Sequence, residues 1–161
     1  AYVGVGLNRD PRAEDRLNGL ANAFAEVEAN IHPNSRLAAT ASFEGGFKGT
    51  ADILDQTSEQ PDVVCYLNDH MAFGGIMECE RRGLNVPQDI GIVGFNGLNI
   101  NVVLPKQITT SVTPRTQMGT VGARMLVSNI LGAKTEQSIL MPVEIFAGDT
   151  PRPILPDHNN H

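Results

Sequence analysis

Short apolar runs alternate with helix-forming segments along most of the chain, and this alternation constrains the fold more than any other feature. The runs are expected to be buried strands, and they cover residues 2–5, 36–42, 62–67 and 90–95. Amphipathic helices are expected between them, at 13–29, after a turn at 43–46, and at 70–82. The order βαβαβαβ predicts an α/β fold, a doubly wound parallel sheet covered by helices on both faces. Ligands bind such sheets at the carboxyl ends of the strands, so the loops that follow the strands are where a site is expected.

Local signals indicate where these helices begin and which side faces the core. The second helix is expected to turn Phe47, Ala51 and Leu54 towards the core. Asp69 is expected to be the N-cap of the third helix, and Gly83 its C-cap in the left-handed region. The third helix therefore begins directly after the third strand, at the edge where a ligand is expected.

The pattern changes in the last part of the chain. Thr113 as N-cap and Pro114 at the first helical position predict the start of one further long helix. The predicted segments are a polar connector at 96–107, a strand at 108–112, that helix up to Gly132, a strand at 139–146 and a frayed tail at 151–161.

Composition excludes several classes of protein. The chain has 161 residues, of which 41% are apolar, so it can bury a core and is not intrinsically disordered. No apolar run approaches the roughly 18 residues of a transmembrane helix, so no membrane partner is expected. A formal net charge of −6 disfavours binding to nucleic acid phosphates. Cys65 and Cys79, in apolar surroundings and far apart in sequence, indicate a reducing compartment, which predicts a cytoplasmic protein.

Motifs for bound cofactors and for catalysis are weak or absent. Gly4 and Gly6 follow a strand, but a dinucleotide fingerprint needs a third glycine and an acidic residue after the second strand. The histidines lack a convincing metal-ligand spacing, and there is no nucleophile motif of the G-x-S-x-G type. We therefore predict no cofactor, no metal and no catalytic residues, and a protein that is not an enzyme.

Several motifs taken together resemble the LacI/GalR family of bacterial transcriptional repressors. They are NDHMAFG at 68–74, GLNVPQDIGIVGFN at 83–96, Pro105 followed by ITTSV at 108–112, RLNG at 16–19 and MG at 118–119. The resemblance covers residues 1 to about 150. It implies a periplasmic-binding-protein-like type I sensor with two lobes, placed behind a helix-turn-helix head.

The resemblance also implies a division of this chain, which would correspond to the second half of such a sensor. Residues 1–95 would form the distal lobe, and residues 96–107 the crossover. Residues 108–150 would supply C-terminal elements, including part of the proximal lobe, and 151–161 a flexible tail. An incomplete lobe would expose apolar surface, which we expect to pack against another surface.

The resemblance points to four effector-binding residues, all in loops or first turns after strands: Arg16, Phe43, Asn68 and Asn96. A guanidinium offers a rigid fork of donors to hydroxyls or a carboxylate, and an amide can both donate and accept. An aromatic face covers the C–H side of a sugar. Arg9 and Arg12 in the first loop are second choices, and Arg115 is a further cation that could face the cleft.

Asn96 departs from the family pattern, in which many relatives carry Asp at this position. An Asp would repel an anionic ligand, whereas Asn would not. With Arg16 nearby, this difference favours a sugar acid, with gluconate as the best guess. The competing interpretation is that Asn96 and Gly97 are simply a favourable pair of turn residues.

Function and partners follow from the same resemblance. The chain is predicted to bind a small sugar or sugar acid and to control operator DNA binding by a helix-turn-helix head that lies outside this sequence. A homodimer is expected. Two alternatives share the fold: a periplasmic sugar-binding protein of a transport system, and an enzyme, which fold alone does not exclude.

Overall fold

The computed structural model describes residues 1–6, 10–29, 31, 36–133, 136 and 138–152. In this part of the chain, six strands form one sheet in the order β2-β1-β3-β4-β5-β6. The strands are β1 (Tyr2–Gly4), β2 (Arg36–Ala38), β3 (Val63–Tyr66), β4 (Gly91–Asn96), β5 (Thr109–Val112) and β6 (Glu144–Phe146). The first five are parallel, and β6 runs antiparallel to β5. The predicted α/β architecture with a largely parallel sheet is thus confirmed.

Helices cover both faces of this sheet. They are α1 (Pro11–Glu26), α2 (Phe43–Gln56), α3 (Asp69–Arg81) and α4 (Arg115–Ile130), with a 3-10 helix at Asn99–Val103. Neighbouring residues of β1 show the two faces, because side chains alternate along a strand. Tyr2 packs with Leu17 of α1, whereas Val3 belongs to the core formed with Ile53 of α2 and Met71 of α3.

Two helix starts differ from the sequence prediction, because their capping groups lie elsewhere. α1 begins two residues early, at Pro11, since the Asp10 side chain accepts from the main-chain N–H of Arg12. α4 begins at Arg115, and Pro114 takes the N-cap position without a side-chain hydrogen bond, so Thr113 is not the cap. Gly83 and Gly132 do end α3 and α4 in the left-handed region, with φ of +76° each.

The buried face of α2 is not the predicted one. Phe47, Ala51 and Leu54 are only half-buried, and the buried side is instead Gly45, Gly46, Gly49, Thr50 and Ile53. The reason is close packing of α2 on α3. A Cβ on Gly46 would lie 2.0 Å from the carbonyl oxygen of Met71, so only glycine allows the approach. Apolar periodicity cannot reveal a helix face made of glycine and threonine.

The C-terminal elements α4 and β6 bury little of their surface against the rest of the described chain. α4 has no buried residue, and its apolar side chains are half-buried or exposed, with Ile130 at 73% and Met118 at 49%. The last strand is shorter than the predicted 139–146, and all three of its residues are exposed. β5 is hydrogen-bonded to β4 and continues the same sheet, while the division of the chain into lobes stays a prediction. Most of the predicted tail, from residue 153, lies outside the described residues.

No helix within the described ranges has the length and hydropathy needed to span a bilayer.

Candidate effector site at the carboxyl edge of the sheet

Arg16 joins three elements at the carboxyl edge of the sheet. Its Nη1 donates to the main-chain carbonyl of Leu67, just after β3, at 3.1 Å. Its guanidinium carbon lies 4.2 Å from the ring centroid of Phe95 near the end of β4, a cation–π geometry. Arg16 is half-buried, and hydrogen bonds within the described part of the chain use only one of its five N–H donors. The remaining donors are the main cationic feature of this edge.

Asn68, not Asp69, is the N-cap of α3. The Asn68 Oδ1 accepts from the main-chain N–H of Met71 at 3.0 Å, so the expectation for Asp69 is wrong. Both residues follow β3, and side chains of both types are favoured at a cap, so the sequence alone did not separate them. Because its oxygen is used by the cap, Asn68 can offer a ligand mainly its amide N–H donors.

Asp69 instead forms a buried link between three parts of the chain. Its carboxylate accepts from the Leu98 N–H at 2.5 Å and from the Thr110 hydroxyl at 2.6 Å, and it is fully buried. A Cβ on Gly94 would lie 2.2 Å from the Asp69 carboxylate, so glycine leaves room for it. Burial raises the pKa of Asp69, and the hydrogen bonds from Leu98 and Thr110 act in the opposite direction. Sequence analysis missed this role because the partners are 29 and 41 residues away.

Asn96 ends β4 in a strained turn. Its φ is +98° and that of Gly97 is +61°, both in the left-handed region. The Gly97 N–H donates to the Thr110 hydroxyl at 3.2 Å. The Asn96 side chain makes no hydrogen bond within the described part of the chain, so its amide remains available. Asn96 and Gly97 are therefore turn residues, as the competing interpretation held, and this leaves the Asn96 side chain open to a ligand.

Phe43 stands at the rim of the same edge and is 43% exposed. Its ring centroid lies 4.6 Å from that of His70 and 5.5 Å from that of Phe73, the latter nearly edge-on at 82°. The first turns of α2 and α3 meet here because Gly74 carries no Cβ, which would lie 2.0 Å from the Phe43 carbonyl oxygen. His70 was not among the predicted site residues, and no local sequence signal singles it out.

The other predicted cations take different positions. Arg12 is engaged with Asp10 at the start of α1, with 3.1 Å between Nε and Oδ1, and its side chain is 81% exposed. This contact lowers the pKa of Asp10. No contact joins Arg12 to the cluster around Arg16 among the described residues. Arg115 donates to the carbonyls of Asn96 and Gly97. Arg9 lies outside the described residues.

A second groove, of about 470 Å³, lies at the far end of α3 and is lined by Leu54, Arg81 and Arg82. Both arginines are already paired there: each contacts the buried carboxylate of Glu78, and Arg82 also contacts Asp55. Paired guanidinium groups offer little to an anionic ligand. The carboxyl edge, with spare donors on Arg16, is therefore the better site.

The arrangement at the carboxyl edge suits a small polyhydroxylated ligand. Arg16 supplies cationic donors, Asn68 and Asn96 supply amides, and Phe43, with the tilted ring of His70 beside it, supplies an aromatic surface. The buried carboxylate at this edge, Asp69, is occupied by its own hydrogen bonds, and the Asp10 carboxylate is paired with Arg12. An anionic group on a ligand therefore meets no free carboxylate among these residues.

Comparison with known proteins places this geometry in a family. Residues 1–150 match the family model of the periplasmic binding protein-like domain. The HTH-type transcriptional regulator GntR of Escherichia coli K12 is 31% identical over 141 residues, which are 87% of this chain and 41% of that protein. The regulator IdnR of the same organism is 31% identical over 150 residues, 91% of this chain and 44% of that protein.

Solved structures agree on the fold. The transcription regulator CcpA of Lactococcus lactis superimposes with a TM-score of 0.84 at 22% identity, over 94% of this chain and 55% of that one. A LacI family regulator from Enterococcus faecium with bound ribose gives a TM-score of 0.83 at 24% identity, over 96% of this chain and 56% of that one.

The fold and its carboxyl-edge site define a ligand-binding domain of the periplasmic-binding-protein type. The chain belongs to the periplasmic binding protein-like domain family. It is similar to part of the HTH-type transcriptional regulators GntR and IdnR, and its fold is that of solved LacI-family regulators. It spans less than half the length of the curated relatives it matches. The relatives named here are transcriptional regulators and not enzymes, in agreement with the sequence analysis.

Proposed function

We propose that this chain is the effector-sensing part of a cytoplasmic LacI-type repressor and that its effector is a sugar acid of the gluconate class. The observation that carries the proposal is Arg16, a half-buried cation held over Phe95 with donors to spare. A guanidinium fork binds a carboxylate in a bidentate manner, which is stronger than binding to a neutral hydroxyl.

The absence of a negative charge at Asn96 supports an anionic effector. An amide at the end of β4 accepts or donates hydrogen bonds without repelling a carboxylate. Phe43 and His70 supply a surface on which the C–H face of a sugar chain can lie. Asn68, at the end of the neighbouring strand β3, adds amide N–H donors for the hydroxyl groups of the ligand.

A sugar as the general ligand class has support from relatives. One solved relative holds ribose, and another is described as a cellobiose complex. A ribose operon repressor of Haemophilus influenzae is 29% identical over 118 residues, 73% of this chain and 35% of that protein. Ribose is therefore the neutral ligand to set against gluconate.

We also propose how this part is used in a whole regulator. Effector binding would shift a conformational equilibrium in a homodimer and thereby change operator affinity of a helix-turn-helix head. Apolar side chains of α4 and of residues 139–143, among them the exposed Met118 and Leu140, line a groove of about 390 Å³. In the whole regulator, further parts of the effector domain would cover this groove.

Calorimetric titration of the intact protein with gluconate and with ribose tests the proposal. Gluconate is expected to bind, and Arg16→Ala is expected to weaken it about tenfold or more, the loss of a charge-assisted pair. Asn96→Asp is expected to weaken gluconate and to leave any ribose binding within about twofold, since the added charge repels only the acid.

Arg124→Ala is the matched control, because Arg124 is exposed on α4 and its removal changes the net charge by the same amount. Ribose binding without gluconate binding, or equal effects of Arg16→Ala and Arg124→Ala, would overturn the sugar-acid assignment.

A further inference from the structure

Arg115 clamps the turn that carries Asn96. It is the first residue of α4, and its Nη1 donates to the carbonyl of Asn96 while its Nη2 donates to that of Gly97, the latter at 3.0 Å. These carbonyls belong to the two successive residues with positive φ, +98° and +61°. The guanidinium thus spans both peptide groups at the end of β4.

This clamp has a physical reason in the turn itself. A left-handed φ is unfavourable for a residue with a side chain, although Asn tolerates it better than most. The rigid planar fork of a guanidinium holds two carbonyls in one fixed geometry, whereas the ammonium of lysine is a compact charge on a flexible stem. Arg115 therefore offsets part of the strain at Asn96.

The other side of the same turn is fixed from within the core. The N–H groups of Gly97 and Leu98 donate to Thr110 and Asp69, whose side chains are themselves 2.6 Å apart. Thr110 and Asp69 are buried, whereas Arg115 is exposed. Of the side chains that hold this turn, Arg115 is therefore the one whose contacts can be changed without opening the core.

We infer that Arg115 is a positioning residue of the effector site, acting through the Asn96–Gly97 turn and not by touching the ligand. The inference rests on the proposed function, because it concerns the same site. Two N–H groups of its guanidinium, one on each terminal nitrogen, donate to main-chain carbonyls and hold the side chain against the turn. Loss of Arg115 would leave Asn96 free to leave the left-handed region, which moves its amide relative to Arg16 and Phe95.

A double-mutant cycle on effector affinity tests this role. Asn96→Gly removes the amide and also accepts the positive φ without strain, so the turn no longer needs the clamp. With whichever of gluconate and ribose the intact protein binds, Arg115→Ala and Arg115→Lys are each expected to weaken binding about fivefold. In the Asn96→Gly background, Arg115→Ala is expected to change affinity by less than about twofold.

Three outcomes overturn the inference. Arg115→Ala without effect on affinity shows that the clamp does not matter for the site. Equal losses in both backgrounds show that Arg115 acts independently of Asn96, either by direct contact or by general stability. If neither gluconate nor ribose binds the wild type, the proposed function is wrong, and this inference, which depends on it, is wrong as well. Arg124→Ala controls for charge, and Arg115→Lys carries the test if the alanine variant fails to fold.

Discussion

The guanidinium of Arg16 stacks on the ring of Phe95, with 4.2 Å between the guanidinium carbon and the ring centroid. This contact ties α1 to the end of β4, where Asn96 follows in the chain. A cation over an aromatic face contributes about 0.5–2 kcal/mol, more as the pair loses water. The aromatic ring therefore fixes the direction of the cation on which the proposed sugar-acid site depends.

Phe95→Leu is expected to weaken gluconate binding several-fold, because Arg16 loses the surface that holds it. The free energy of unfolding is expected to fall by about 1 kcal/mol beyond the effect of lost apolar area. Phe24→Leu is the control, since Phe24 lies on α1 itself, is partly buried and has no cation over its ring among the described contacts. Equal effects of the two variants on affinity, measured by calorimetry, would contradict a role for the Arg16–Phe95 contact.

Tyr2→Phe is expected to leave the protein as stable as the wild type or to stabilise it by up to about 1 kcal/mol. The Tyr2 hydroxyl is buried and has no hydrogen-bond partner in the described part of the chain, so its removal relieves a desolvation cost. Tyr66→Phe is the matched control. Its hydroxyl lies 2.6 Å from that of Thr50 in the core, and its loss is expected to cost about 1 kcal/mol. Urea denaturation of both variants measures the difference, and a larger loss for Tyr2→Phe would contradict the prediction.

Gly46→Ala is expected to destabilise the protein by about 2 kcal/mol, because the new Cβ meets the backbone of α3. That Cβ would lie 2.0 Å from the Met71 carbonyl oxygen, so the helices must separate. Gly119→Ala in the exposed α4 is the control, since a Cβ there meets nothing within 4 Å. Alanine is the better helix former, so this control is expected to be neutral or stabilising by up to about 1 kcal/mol. Thermal unfolding distinguishes them, and similar melting temperatures would contradict close helix packing.

Glu78→Gln is expected to cost about 2 kcal/mol at neutral pH, because the buried carboxylate accepts charge-assisted hydrogen bonds. The hydrogen bonds from Arg81, and then those from Arg82, hold the pKa of Glu78 below its ordinary value of 4.5. Since the folded-state pKa is the lower one, the stabilisation is complete above pH 4.5 and is lost as the pH falls through the folded-state pKa. Denaturation at a series of pH values should show that the free energies of unfolding of the wild type and the variant become equal at acid pH. If the difference in free energy of unfolding stayed constant down to acid pH, the ion pairs of Glu78 would not be its source.

The elements of the fold could be predicted because their signals are local. Apolar runs and helix periodicity lie within a few residues, and they indicated the strands and α-helices of the described residues in the right order. They did not indicate the 3-10 helix at Asn99–Val103, which lies in the predicted polar connector. The positions of Arg16, Asn68 and Asn96 followed from the rule that sites lie beyond the carboxyl ends of strands, combined with the family resemblance. The error at Asp69 concerns a choice between two neighbouring polar residues that are both favoured as caps. At α4 the N-cap is Pro114, which makes no side-chain hydrogen bond, so a capping signal did not fix that helix start.

The sequence by itself therefore determined the alternation of strands and helices and the largely parallel sheet, and it predicted the edge at which a ligand is expected. Only the tertiary structure decided how that edge is built. The Arg16–Phe95 contact, the Asp69–Thr110 link and the hold of Arg115 on Asn96 join residues that are distant in the chain. The glycines that bring α2 against α3, and so place His70 beside Phe43, carry no apolar signal. These features depend on which surfaces meet after the chain has folded, and periodicity within a segment contains no information about its packing partner.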